Sequence, residues 1–388
     1  MRVISRLHHQ GLIGRNRRFL PIYVASLLIA FHYYLIIYVN SSFLNSFFSF
    51  LEVAALFALG AILFAVFLLA GETFVREIKL RKIFLALIVL EGASVATLAF
   101  SREALFVALA FIVAQGSIGF LSYIMDVMLE RKVQDEKSTG EVRGMFLTAA
   151  NISLVIAPTV AGIILSNGNF SSLYLVSFLV LLPVIFLHFN KRAGEHVIPK
   201  HREVLPKTLK LGIFLNFLLQ FFYAWMVIWS PIYLHNVIGF AWSEIGIMFS
   251  LMLLPFALFE LPLGELEDKM FGEKEIMAIG FFIAGLATAS LGAIGGASFL
   301  LWTLALFATR TGASAIEIST ESYFFKHVSG RDAGTIGVFR MAKPLSLLTG
   351  PLAGALAIKF LGFPVSFAIL GAILVIGAFI SLRLKDTR

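Results

Sequence analysis

Long apolar runs, broken at short polar intervals, organise this chain. They predict helices near 19–39, 50–70, 83–101, 103–129, 144–166 and 170–189, then near 208–234, 243–264, 275–296, 298–325, 335–359 and 362–382. Runs of about 20 residues exceed what a core strand uses and match what an α-helix needs to cross a hydrocarbon layer about 30 Å thick. The longest interruption falls at the middle of the 388 residues, from Phe189 to Lys210. It carries Lys191, Arg192, Lys200, Arg202, Lys207 and Lys210 against Glu195 and Glu203, with Pro199 and Pro206 opposing a continuous helix. Six apolar segments lie on each side of it. The expected organisation is a tail over 1–18, a six-helix bundle over 19–189, a linker over 190–207, a second six-helix bundle over 208–382 and a tail over 383–388.

Composition turns this pattern into a fold class. Hydrophobic residues make up 59% of the chain and charged residues 14%, with a mean hydropathy of +0.91. Soluble domains carry about a quarter charged residues, so the solvent here is lipid. A segment in lipid must satisfy its own backbone polar groups, and at this length it does so as a helix rather than as a ten-residue barrel strand. The expectation is an all-α membrane protein with twelve transmembrane helices in two pseudo-symmetric bundles. With no cysteine in the sequence, disulfides, thiolate metal sites and cysteine nucleophiles are excluded. The first residues, MRVISRLHHQGLIGRNRRF, are basic but lack a short apolar core with a small-residue cleavage site, so no signal peptide is expected.

The net charge of +8 would suit a nucleic-acid partner until its distribution is traced. Five basic residues precede the first segment. Arg76, Lys79, Arg81 and Lys82 follow the second, and Arg131, Lys132 and Lys137 follow the fourth. The alternate connections SSFLNSFFSF, SNGNFSS and HNVIGFAWS hold neither Lys nor Arg, and only Arg102 and Lys359 lie near that face. This asymmetry predicts a multi-pass protein of the cell membrane with both termini cytoplasmic. The positive charge then faces lipid headgroups, and no nucleic acid is expected.

The chain also repeats itself. A shift of 193 residues lays GMFLTAANISLVIAPTVAG, from Gly144, over GVFRMAKPLSLLTGPLAGA, from Gly337, matching Phe146 with Phe339, Ser153 with Ser346 and Pro158 with Pro351. Two halves of like orientation result, with a pseudo-two-fold axis along the membrane normal and a functional cavity between them.

With GELEDKMFGEKE, between the eighth and ninth segments, the chain resembles the major facilitator superfamily of secondary transporters. That family carries a G-x-L-x-D-R-x-G-R-R type loop between its second and third helices and often a second copy at this place. Here the second copy supplies Gly264, Leu266, Asp268, Lys269, Gly272 and Lys274, with one extra residue before the second glycine. The first, GETFVREIKLRK, keeps Glu77, Arg81 and Lys82 but lacks the glycine between them. Gly264 is expected to let two helix ends approach, while Asp268 accepts from a neighbouring helix N-terminus and Lys269 bridges to another helix end, a latch that closes in one conformation. The sequences IAPTVAG and TGPLAGA place Pro158, Gly350, Pro351 and Gly354 in candidate gating helices. A fuller G-P-x-x-G-G version is the signature of proton-coupled drug antiporters in this family, but Ala157 and Ala161 stand here in place of two glycines.

Charge inside the apolar segments points to mechanism. The tenth segment carries Arg310, Glu317 and Glu321, at offsets of seven and eleven residues that place all three within roughly 40° on one helix face. Such groups are costly in lipid and normally face a cavity or a partner. The tenth and eleventh segments are antiparallel across the loop HVSGRDAG, so depth matching pairs Glu317 with Lys343 and Glu321 with Arg340 and leaves Arg310 to face the cavity. In the resembled family the first, fourth, seventh and tenth helices line that cavity. This implies His32, Tyr34, Gln115, Gln220, Tyr223 and Arg310 as substrate-binding candidates, with His32 also a candidate proton shuttle.

The expected function is alternating-access transport of a small solute, with protons as the candidate coupling ion and efflux one form of it. An uncoupled facilitator is the alternative, and a multi-pass membrane enzyme a more distant one, since the chain has no H-E-x-x-H motif and no repeated D-x-x-x-D. No cofactor or metal is expected, and the working unit expected is a monomer. Fold does not fix cargo, and no motif names the solute or its direction.

Overall fold

The computed structural model describes residues 19–78, 80–132, 139–167, 169–187, 207–327 and 333–385. Among these residues every regular element is a helix. The N-terminal helices are α1 (Leu20–Ile36), α2 (Asn40–Asn45), α3 (Phe50–Glu77), α4 (Leu80–Phe100), α5 (Ala104–Lys132), α6 (Thr139–Leu165) and α7 (Phe170–Ile185). The C-terminal helices are α8 (Lys207–Ile232), continued by a π-helical turn over Tyr233–Ile238, then α9 (Trp242–Leu258), α10 (Glu260–Lys269), α11 (Glu273–Leu291), α12 (Phe299–His327), α13 (Ala333–Arg340) and α14 (Ala342–Ser381). The tenth apolar segment is thus α12. The expected linker and both tails lie outside the described residues, apart from Phe19, the first residues of α8 and the few beyond α14.

Local chemistry fixes the ends. The Asn169 side chain accepts from the Ser172 N–H at 3.3 Å to start α7, and Glu275 reaches back to the Gly272 N–H at 3.1 Å to start α11. The π-turn stops at Gly239, whose φ of 91° is left-handed and costs a glycine little. α13 breaks from α14 at Met341, because Pro344 has no N–H to offer the Arg340 carbonyl. Within α14 the helical path fails at Gly362 (φ 81°, ψ 167°), two residues before Pro364, which divides one long apolar stretch in two.

Ten helical stretches among the described residues are long and apolar enough to cross a membrane, and α7, with 16 residues, is a shorter apolar helix. The first stretch runs on through α2 to Asn45. This corrects the expectation of a solvated loop there: Ser41 and Ser42 are buried, and Asn40 accepts from the Tyr174 hydroxyl at 2.8 Å. Facing outward are Leu69, Phe100, Phe186 and Phe360, each at least 70% exposed, which only an apolar solvent makes inexpensive.

Small residues set the helix spacing. Gly116 of α5 lies against Leu63 of α3, Gly119 against Phe64, Gly280 of α11 against Gly312 of α12, and Gly285 against Gly371 of α14. The repeated positions match in burial too, since Phe146, Phe339, Ser153 and Ser346 are all buried. The N-terminal and C-terminal helices meet where α6 packs on α9, α3 on α14 and α2 on α8.

Candidate functional site

The seam between the two sets of helices is shut at the end where α1 runs into α2, α6 into α7 and α8 into α9. There α6 and α9 touch backbone to backbone. A Cβ on Gly162 would lie 2.5 Å from the Trp242 carbonyl oxygen, and one on Gly246 would lie 2.5 Å from that of Pro158. Thr159 completes the contact, its N–H and hydroxyl both donating to the Ser250 hydroxyl oxygen, at 3.1 and 2.7 Å. Rings close the rest: Tyr38 on Phe249 at 4.8 Å, and Phe50 on Trp229 at 5.7 Å and on Phe363 at 5.9 Å. Two small recesses flank this closure. One is lined by Tyr34, Tyr38, Pro158 and Gly246, the other by Tyr33, Gln115, Ser122 and Lys343.

Helical phase decides which residues of α1 reach the seam. Tyr34 and Tyr38 are one turn apart and share the seam face, whereas His32 lies about 200° from Tyr34 and points elsewhere. This corrects the substrate-binding expectation for His32. Its ring is fully buried among the N-terminal helices, with Nε2 3.1 Å from Glu91 Oε1 of α4 and Nδ1 2.7 Å from the Ser177 hydroxyl of α7. Glu91, also buried, went unnoticed in the sequence, although a lone acid in the run LALIVLEGASV was the signal available.

On the opposite side α12 presents its charged face. The Arg310 guanidinium is 1% exposed and lies over the rings of Phe222 at 4.9 Å and Tyr223 at 5.5 Å, with Tyr38 beside it. Its Nε and Nη1 have no hydrogen-bond acceptor. Glu317 Oε2 accepts from the Tyr223 hydroxyl at 2.7 Å, and Glu321 Oε1 lies 3.2 Å from Arg340 Nη1. Lys343 does not close on Glu317 as depth matching expects. It keeps exposed surface in its recess, 5.6 Å above the Tyr33 ring. Depth matching compares levels along two helices and takes no account of the direction in which each side chain leaves its helix. Gln115 lines the same recess, and Gln220 is half-buried on α8, one turn before Tyr223.

The two proline-glycine motifs do different work. Pro158 and Gly162 form the seam, whereas Gly350 packs α14 on Ala224 and Gly354 makes room for the Trp229 indole, both on α8. Pro351 is buried in the same helix. In the GELEDKMFGEKE loop, the side chains of Asp268 and Lys269 lie outside the described residues. Gly264 does not mark a close approach, since a Cβ there would meet only Ile318 at 3.8 Å. Gly272 opens α11. The loop is instead fastened by acids that sequence reasoning missed. Glu273, 1% exposed, pairs with Lys326 at 2.8 Å, and Glu267, 2% exposed, accepts from the Ser319 hydroxyl at 3.0 Å. Burial pushes the Glu267 carboxyl above the usual carboxylate range, against the opposing pull of the Ser322 and Ser319 hydroxyls. Among the described residues no group of three or more His, Asp or Glu converges as metal ligands would.

The fold has close counterparts among solved structures. A POT family transporter solved in complex with 5-aminolevulinic acid superposes with a TM-score of 0.78 at 14% identity, over 96% of this chain and 96% of its own. A mutant of the nucleoside transporter NupG superposes with a TM-score of 0.75 at 13% identity, over 95% of this chain and 100% of its own. At such identities the likeness speaks to the fold. No curated protein sequence matches. The sequence profile of the Major Facilitator Superfamily matches residues 22–251 and 242–388. With that match along the chain, and apolar helices folded as transporters of the superfamily are, this multi-pass membrane protein belongs to the Major Facilitator Superfamily.

Proposed function

We propose that the chain is a secondary active transporter that moves a small solute by alternating access. In this reading it crosses the cell membrane twelve times in two six-helix bundles, over 19–189 and 208–382, with both termini cytoplasmic. The solute sits at the seam among Tyr34, Tyr38, Gln115, Gln220, Tyr223 and Arg310. Glu317, held by Tyr223, is the candidate proton-coupling group, and the Asp268–Lys269 loop remains the candidate cytoplasmic latch. One observation carries the proposal: polar and charged side chains are buried between two sets of helices that are shut against each other at one end by glycines, a hydroxyl pair and a few ring contacts.

The test needs no substrate. Cysteines at Thr159 and Ser250 are expected to cross-link at the shut end, and the cross-link is expected to raise the reactivity of a third cysteine at Leu347, in the recess beyond it. Reactivity at Leu347 that ignores the cross-link, or simultaneous access at both ends, would sink alternating access in favour of a static pore. For coupling, vesicle uptake is measured with and without a pH gradient. The Glu317→Gln variant is expected to lose the gradient's effect, and an unchanged response would remove Glu317 from that role.

A further inference from the structure

We propose that the seam takes a monocarboxylate with an apolar or aromatic body, and that Arg310 is the residue that holds the carboxylate. The inference rests on the transporter reading above and names its class of cargo.

A guanidinium remains charged and brings five N–H donors. At 1% exposure the Arg310 side chain has almost no contact with water, and its Nε and Nη1 lack any acceptor. Ring faces at 4.9 and 5.5 Å offset part of the positive charge but satisfy none of these N–H groups. The two acids that share this face of α12 are committed elsewhere. Glu317, two helical turns away on the same face of α12, accepts from Tyr223, and Glu321 is paired with Arg340. A buried, unpaired cation is a large expense for a fold to keep, and a ligand that supplies the anion removes it. A planar carboxylate suits a guanidinium because it accepts two parallel N–H bonds.

The surroundings limit the rest of the ligand. The side chains against the guanidinium are Phe222 and Tyr223 of α8 and Tyr38 of the turn between α1 and α2, all aromatic and drawn from both sides of the seam. They favour an apolar or aromatic body, with the Tyr38 hydroxyl, itself hydrogen-bonded to Arg310, as a polar neighbour. A single charge suffices. Of the other cations described on this face, Arg340 has its carboxylate, and Lys343 sits in a separate recess over the Tyr33 ring. Because Tyr38 covers Arg310 from the opposite set of helices, parting the seam would uncover the site.

The test uses purified full-length protein with sodium benzoate as probe and benzamide as its neutral counterpart at matched ionic strength. Benzoate is expected to raise the thermal midpoint, and benzamide to leave it unchanged. Arg310→Met is expected to raise the midpoint of the ligand-free protein, since it removes an uncompensated charge, and to weaken benzoate binding by roughly tenfold to a hundredfold. Arg310→Lys keeps the charge and is expected to retain part of the binding. A lower ligand-free midpoint for Arg310→Met would show that the arginine serves the fold and would overturn the proposal. So would equal effects of benzoate and benzamide, a benzoate effect that survives in Arg310→Met, or no effect of benzoate on the wild type. The cross-link response at Leu347, measured on the protein carrying the three introduced cysteines, separates the two readings. If it persists, only the assignment of cargo falls; if it is absent, the transporter reading falls as well.

Discussion

Glu267 and Glu321 are both acids near the ends of apolar segments, and their surroundings give them opposite weights. Glu321 and Arg340 form an ion pair in which each side chain is about a third exposed, so solvent screens it and its loss is expected to cost no more than about 1 kcal/mol. Glu267 is buried, and its carboxyl holds a proton above the usual carboxylate range. The folded state therefore binds a proton that the unfolded state has already released. Stability falls as pH rises from the ordinary carboxylate range through the raised value, and stays lower above it. Glu267→Gln keeps an acceptor for Ser319 without the titration. Thermal unfolding between about pH 4 and 8 is expected to show a shallower pH slope in this variant and a midpoint at neutral pH no lower than that of the wild type. A slope equal to the wild type's would remove Glu267 as its source.

Between elements, the α6–α9 contact shows how two helices can be tight and yet separable. It joins glycines and a hydroxyl pair, with Ala157, Ala161, Ile245 and Phe249 buried beside them. A side chain at Gly246 would strike the Pro158 carbonyl, and Gly246→Val is expected to part the helices, abolish the cross-link between cysteines at Thr159 and Ser250, and lower stability by about 1–3 kcal/mol. Gly337→Ala is the control. No atom lies within 4 Å of a Cβ there, and alanine in a helix is expected to be neutral or to stabilise by up to about 1 kcal/mol. A cross-link that survives Gly246→Val would mean the shut end yields without separating. The same contact explains why a motif repeated in sequence is not repeated in use: at Gly354 the space is filled by an indole of the same half, at Gly162 by the backbone of the other.

For the whole molecule, the uneven distribution of Lys and Arg sets an orientation that can be measured. Ser42 is the natural labelling position from sequence, but it is buried in α2, where a cysteine would escape reagent from either side. Ser46 and Asn167 are exposed at the shut end. Cysteines there are expected to react with impermeant reagent on intact cells, and one at Lys200 only after permeabilisation. The reverse pattern would invert the molecule in the membrane.

The sequence by itself determined the class of solvent, the order of the long apolar runs, the repeat, the breaks at proline and glycine, and the single charged face of α12. Each of these is a property of residues close together in the chain, set by hydropathy, backbone chemistry and helical period. Only the tertiary structure decided which polar residues share a site. His32 and Tyr34 are neighbours in sequence but face different helices, so one joins Glu91 and the other the seam. Glu317 finds Tyr223 of α8 rather than Lys343 of α14, because the helix packed against its face decides the partner. Arg310 leaves Nε and Nη1 without an acceptor because the residues packed around it are rings, contributed by α8 and by the turn after α1. Periodicity along one helix says which side chains share a face; what that face meets depends on how the other helices are placed around it.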